Sequence, residues 1–202
     1  PELKEVVVPK TVSSFPSIFG SPEVERVTVD EENPEYRSLD GVLYARGRFR
    51  NVDGCTALKY YPPFHPGERF VFPEFVDSMA DGAFSGCKKL KSVVLSDKVK
   101  RVPNGTFANC INLESITWGA GIRAIWGKAF ENCTALKSIM FPDSIESVSS
   151  DAFRGCTNIS SITFARGKYF DLESLPKDCC PWEKDAFILD GVRYAPHKDF
   201  DR

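Results

Sequence analysis

Four segments decide how this chain folds: AFSGCKKLKSVVL at residues 83–95, TFANCINLESITW at 106–118, AFENCTALKSIMF at 129–141 and AFRGCTNISSITF at 152–164. Each starts 23 residues after the one before it. Cys87, Cys110, Cys133 and Cys156 keep that step, and so do Phe84, Phe107, Phe130 and Phe153, three residues ahead of them. Leu90, Leu113, Leu136 and Ile159 follow three residues behind. The columns Val93/Ile116/Ile139/Ile162 and Leu95/Trp118/Phe141/Phe164 extend the pattern, and the apolar pairs Val99/Val102, Ile122/Ile125 and Ile145/Val148 recur between copies. So many columns agreeing in register is the signature of a solenoid.

Within one unit, L-x-x-I-x-F alternates apolar and polar residues and predicts a short strand. A-F-x-x-C spaces its apolar residues by three, which predicts one turn of 3₁₀ or α-helix. A single coil cannot bury its apolar side. Stacking joins the strands into a parallel sheet and the Phe, Cys and Leu columns into a continuous core. Weaker copies surround the regular ones. Phe70, Phe72, Val76 and Met79 lie 23 residues before Val93, Leu95, Val99 and Val102, and Leu3, Val6, Val8, Val12 and Phe15 repeat the strand-turn pattern. Val24, Val27 and Val29 begin another copy. At the far end Cys179 and Trp182 keep register, but Pro176 and Asp185 break the apolar columns, as expected of a degraded capping repeat.

Residues 36–63, YRSLDGVLYARGRFRNVDGCTALKYYPP, leave the pattern. Val42-Leu43-Tyr44 and Leu58-Lys59-Tyr60 read as two strands of an inserted β-hairpin. Asp190-Gly191-Val192-Arg193-Tyr194 repeats the D-G-V-x-Y phrase, which predicts the start of a second hairpin cut short by the end of the chain.

The A-F-x-x-C-x-x-L-x-x-I unit resembles the BspA-like, treponemal class of leucine-rich repeats, and the D-G-V-L-Y … L-K-Y-Y-P-P hairpin is similar to one that members of that family carry between repeats. The fold expected is therefore an α/β leucine-rich-repeat solenoid with 23-residue repeats. Short parallel strands would line one face, short helical or 3₁₀ turns the other, with the hairpin inserted. One solenoid spans 1–202, with 1–35 as divergent repeats, 36–66 as the hairpin, 67–165 as regular repeats and 166–202 as the capping repeat and second hairpin. The resemblance implies a surface-exposed or secreted protein of a family associated with adhesion to host, matrix or cell-surface macromolecules.

Composition fits a folded, soluble chain: 202 residues, 42% hydrophobic, 27% charged, net charge −2. That balance gives no electrostatic reason to expect nucleic acid or an anionic membrane as partner. No apolar run approaches the roughly 18 residues of a membrane-spanning helix. The chain opens on Pro1 without a basic-then-apolar leader, which reads as a processed or trimmed chain.

Chemistry is sparse. A Cys column invites a metal or redox reading, since neighbouring coils lie about 4.8 Å apart. Zinc, however, prefers ligands in close C-x₂₋₄-C pairs, which are missing, so the column is read as buried thiols and no cofactor is expected. The cysteine total, 7, is odd, and the adjacent Cys179-Cys180 is where redox chemistry would be looked for. His65 and His197 stand outside any nucleophile or metal motif, so catalysis is not expected. Three sequons (Asn104-Gly105-Thr106, Asn132-Cys133-Thr134, Asn158-Ile159-Ser160) read as products of the repeat, because two overlap core columns.

What remains is surface. Between inward positions the strands present the columns Lys91/Glu114/Lys137/Ser160, Ser92/Ser115/Ser138/Ser161 and Val94/Thr117/Met140/Thr163, with Arg69 and Val71 extending the last two backward. The constant Ser column reads as a packing and hydrogen-bonding ladder. The varied columns suit a protein partner, or else form a plain solvated face. Trp126 interrupts the column Ala80, Pro103 and Ser149 and is a second candidate contact. Tyr44, Tyr60 and Tyr61 are either a third or a cover for the end of the array. The function expected is a non-enzymatic protein binder that uses its sheet face; the alternative is a spacer that displays a binding domain outside this chain.

Overall fold

The computed structural model describes residues 3–15, 23–47 and 55–164, together with strand segments at 187–189 and 192–194. β1 (Glu5–Val8) runs parallel to β2 (Arg26–Val29). An antiparallel meander follows, made of β3 (Tyr36–Leu39), β4 (Val42–Arg46) and β5 (Cys55–Tyr60). From there a longer strand alternates with a two-residue one: β6 (Arg69–Val71), β7 (Ser78–Met79), β8 (Ser92–Val94), β9 (Arg101–Val102), β10 (Ser115–Thr117), β11 (Ala124–Ile125), β12 (Ser138–Phe141), β13 (Ser147–Val148) and β14 (Ser161–Phe164). β15 (Phe187–Leu189) pairs parallel to β14 and antiparallel to β16 (Val192–Tyr194).

The sequence period is the structural period. Ser92 faces Ser115, Arg101 faces Ala124 and Ser138 faces Ser161, each pair 23 residues apart in parallel ladders. The strands β6, β8 and β10 form the first part of the sheet face, and β12, β14 and β15 the second. A narrower flank is built by β9, β11 and β13, while β7 pairs with β5 of the meander. The sheet face has a seam: β10 and β12 belong to separate ladders, although the flanking strands β9, β11 and β13 run unbroken beside them.

The A-F-x-x-C segments, for which one turn of 3₁₀ or α-helix was expected, carry i→i+3 turns that do not join into a helix. No helix forms among the described residues. Each segment is a chain of separate i→i+3 turns, such as Ala83 N–H to Ala80 O, Ser85 N–H to Gly82 O and Cys87 N–H to Phe84 O. The reason lies in the backbone. Gly82, Gly105 and Lys128 share one column and hold φ of 63°, 59° and 56°, while Gly86, Asn109, Asn132 and Gly155 share another, at 75°, 60°, 59° and 76°. A left-handed residue ends a right-handed helix, so two in five residues leave no room for one. The N–H groups between these turns bond to the next coil instead: Phe84 to Thr106 O, Phe107 to Ala129 O and Phe130 to Ala152 O. The turn side is thus tied along the axis by backbone hydrogen bonds, much as the sheet side is.

Between the two sides lies an aromatic stack. Rings of Phe84, Phe107, Phe130 and Phe153 are stacked at centroid separations of 4.9, 5.1 and 5.0 Å. Tyr61 continues the column, stacked 4.9 Å from Phe84. The four column cysteines are free and buried. Their thiols donate to the Phe carbonyl of the coil before: Cys110 to Phe84 O at 3.0 Å, Cys133 to Phe107 O at 3.1 Å and Cys156 to Phe130 O at 3.0 Å. Burial pushes the Cys87 and Cys133 thiols well above their ordinary pKa, so they stay protonated and inert. Cys179 and Cys180 lie outside the described residues.

The inserted element has three strands where two were expected. The missed partner of β4 is β3, and the signal was Asp40-Gly41. These residues, at φ 50° and 77°, make the two-residue turn between Leu39 and Val42, which pair with each other. β15 and β16 pair antiparallel with Leu189 opposite Val192; Asp190 and Gly191 between them lie outside the described residues. The break assigned to Pro176 and Asp185 lies outside the described residues, as does His197.

Candidate binding surface

Strand alternation sorts the side chains of each coil. In β8, Val93 is buried while Ser92 and Val94 turn outward; in β12, Ile139 and Phe141 are buried while Ser138 and Met140 turn outward. Six of the sequence candidates therefore share one strand face, Arg69, Val71, Val94, Thr117, Met140 and Thr163, while Lys91, Glu114 and Lys137 are exposed at the positions just before their strands. Val71 and Met140 are the most open apolar residues there, at 53% and 72% exposure. Val94 and Thr163 are half-buried. The charged row is anchored at one end, where Lys91 Nζ meets Glu68 Oε2 at 2.9 Å; that hydrogen bond raises the pKa of the exposed ammonium.

The Ser column behaves differently from the expectation. Ser92, Ser115, Ser138 and Ser161 face outward, and no hydrogen bond links their hydroxyls among the described residues. Ser115 and Ser138 are exposed, and Ser92 and Ser161 half-buried. The column is polar covering, not a ladder.

The seam crosses the middle of this face. Trp118 occupies the inward column that Leu95 and Phe141 fill in the adjacent coils, and its ring lies 6.0 Å from Phe130 and 5.9 Å from Phe141. Trp118 and Ile116 are only half-buried, whereas Val93, Ile139 and Ile162 in the column of Ile116 are buried. The indole is the largest side chain in its column and sits where the ladder between β10 and β12 lapses.

Trp126 is not on the sheet face. It follows β11 on the flank, 38% exposed, with the Arg101 guanidinium 5.2 Å from its ring centroid. The tyrosines are covers, not contacts: Tyr44, Tyr60 and Tyr61 are buried, and burial raises the phenol pKa of Tyr60 and Tyr61. His65 is a fastener between the meander and the first full coil. Its Nε2 lies 2.9 Å from Asp40 O, which can only accept, so Nε2 carries the proton and Nδ1 accepts from Tyr61 Oη at 2.8 Å and Gly67 N at 3.1 Å. The sequon residues serve the repeat: Thr106 is buried and donates to Pro103 O, Asn132 donates to Asn109 and Asn158 to Thr134 O.

On the turn side a groove of about 500 Å³ runs past Asp81, Asn104, Lys128, Glu131 and Asp151 over a floor of glycines. Among the described residues no three His, Cys, Asp or Glu side chains converge as metal ligands would. No helix of the described residues is long and apolar enough to cross a membrane.

The model of the BspA type leucine-rich-repeat region matches residues 66–175 in 6 copies. Among solved structures, the pneumococcal vaccine antigen PcpA superposes with a TM-score of 0.74 at 25% identity, over 94% of this chain and 43% of that one. A leucine-rich cell surface protein of Faecalibacterium prausnitzii gives 0.65 at 24% identity, over 88% and 52%. A leucine-rich-repeat protein of Bacteroides capillosus gives 0.57 at 20%, over 65% and 99%, a likeness of fold alone. The chain thus spans about half the length of the first two. No curated protein matches it.

Proposed function

Because the chain belongs to the BspA-type leucine-rich-repeat family, we propose that it is a non-enzymatic binding protein that seats a protein partner on its sheet face, at a cell surface or after secretion, in the service of adhesion. The observation that supports this most is the exposure of Val71 and Met140 on one strand face, set among Arg69, Lys91, Glu114 and Lys137. Apolar residues within a charged surround make the mixed composition of protein interfaces. A hydrogen-bonded coil stack offers that surface preformed, so little conformational entropy is lost on docking. The cell-surface description of the Faecalibacterium protein supports the location. In this reading the chain is one solenoid, with 1–35 as divergent repeats, 36–66 as the insertion, 67–165 as the regular array and 166–202 as its capping end.

The test compares the chain with a Val71→Asp/Met140→Asp variant in capture from host matrix and cell-surface extracts. Both substitutions lie on exposed positions and leave the buried columns intact. A partner held by the parent and lost by the variant supports the sheet face. One held equally by both moves binding elsewhere, and capture by neither makes the chain a spacer.

A further inference from the structure

The flank beside the sheet face carries a second, independent arrangement. Arg101 takes the outward position of β9, and the residues just before β9 and β11 are Lys100 in that coil and Arg123 in the next, which also carries Trp126. All three cations are exposed. Arg123 is ion-paired with Glu146, whereas Lys100 and Arg101 have no ion-pair partner among the described residues. The Arg101 guanidinium lies over the indole of Trp126, 5.2 Å from its centroid. Stacking occupies the face of a guanidinium and leaves its N–H edge free for two parallel hydrogen bonds to a carboxylate.

We propose that this flank is a docking site for an extended polypeptide segment with two central carboxylates, with Trp126 and Arg101 as its anchor. The charge order chooses the partner. Along the axis, successive coils place Asp77, Lys100, Arg123 and Glu146 in one column, acid–base–base–acid. Coils repeat at about 4.8 Å, so the column spans roughly 14 Å, the reach of about five extended residues. The complement is a short segment with two carboxylates between basic residues. A uniform polyanion, such as a sulfated glycan, meets repelling carboxylates at both ends. Trp and Arg are also the residues that dominate protein–protein contact energies.

The probe is a fluorescent, extended peptide with two glutamates bracketed by lysines, titrated against the whole chain and followed by anisotropy at low and raised salt. Saturable, salt-sensitive binding is expected, weakened at least tenfold by glutamine in place of the glutamates and by Trp126→Ala. Arg101→Glu should abolish it, and a peptide with the two central charges reversed should then bind the Arg101→Glu chain better than the parent. Because that exchange is a gain, it cannot come from misfolding. The proposal is overturned if the peptide fails to bind, if the glutamine peptide binds equally, if Trp126→Ala and Arg101→Glu change nothing, or if a sulfated oligosaccharide of equal charge binds more tightly. None of these results depends on Val71 or Met140, so the sheet-face reading stands or falls separately.

Discussion

At Gly121 a Cβ would overlap the carbonyl oxygen of Asp97 in the preceding coil, whereas at Gly86 nothing lies within 4 Å of one. The two glycines are required for different reasons. Gly121 lets two backbones approach; Gly86 only supplies a φ of +75°. Gly121→Ala should therefore cost about 3 kcal/mol through forced separation of the coils, and Gly86→Ala about 1 kcal/mol through left-handed strain alone. Gly86→Asn should cost less than Gly86→Ala, because Asn109 and Asn132 already hold the same conformation one and two coils later. Lys128 is the reverse case, a side chain in a column where Gly82 and Gly105 stand, and Lys128→Gly should stabilise by up to about 1 kcal/mol. Urea midpoints measure the whole series. The buried thiols set a pH dependence. For Cys87 and Cys133 the folded chain keeps its protons past the ordinary thiol value of 9.0, while the unfolded chain loses them there. Protons bound to the folded state then exceed those on the unfolded one, so stability is level below that pH and falls above it, by about 1.4 kcal/mol per pH unit per thiol. Tyr60 and Tyr61 add to the fall beyond their ordinary value of 10.0. Urea unfolding between pH 8 and 10 should show the decline, and Cys87→Ala/Cys133→Ala should flatten it.

Single strands were readable where burial imposes a period and obscure where it does not. The columns of Phe, Cys and Leu are buried in every copy, so their spacing alone gave the coil and its inward face. The left-handed positions were hidden because three of them are filled by Asn109, Lys128 and Asn132, which carry no unambiguous backbone signal. β3 was hidden because Tyr36-Arg37-Ser38-Leu39 has only Tyr36 buried, and the informative residues were the Asp40-Gly41 turn after it. Of the site, the sheet-face columns followed from alternation, and Trp126 from being the odd member of its column. That Arg101 lies over Trp126 was not legible, since contact between adjacent coils depends on side-chain direction. The seam was not legible either: an indole in an apolar column reads as one more apolar residue. With no ladder between β10 and β12, the amides of Ile116, Ser138 and Met140, which point across the seam, should exchange hydrogen faster than those of β8. Trp118→Leu should narrow that difference by letting the strands pair, and exchange read by mass spectrometry decides it. Equal rates in the parent chain would mean the seam is paired in solution.

For the whole molecule, the buried residues among those described form two cores. One runs from Val42 to Ile162 and contains the Phe and Cys columns. The other gathers Val8, Val24, Val27, Val29, Tyr36, Leu43 and Tyr60. In stacked arrays each unit leans mainly on its neighbours, so damage to one core should open that region first. Val27→Ala, at a site 1% exposed, should lose about 2 kcal/mol in the smaller core. Hydrogen exchange should then rise across residues 5–46 while the amides around Phe107 and Phe130 keep their protection. Uniform loss of protection would mean that the cores unfold as one.

The meander gives that division its form. β4 sends Val42 and Tyr44 into the large core and Leu43 into the small one, and β5 with the residue after it sends Leu58 and Tyr61 one way and Tyr60 the other. An insertion of this kind is a bulkhead: a wall wetted by apolar side chains on both surfaces, with a compartment on each. Coils could be gained or lost on one side during evolution without repacking the other, because each compartment closes against the same partition. Excising residues 36–60 would accordingly not shorten a loop; it would leave two open ends facing each other with no shared lining.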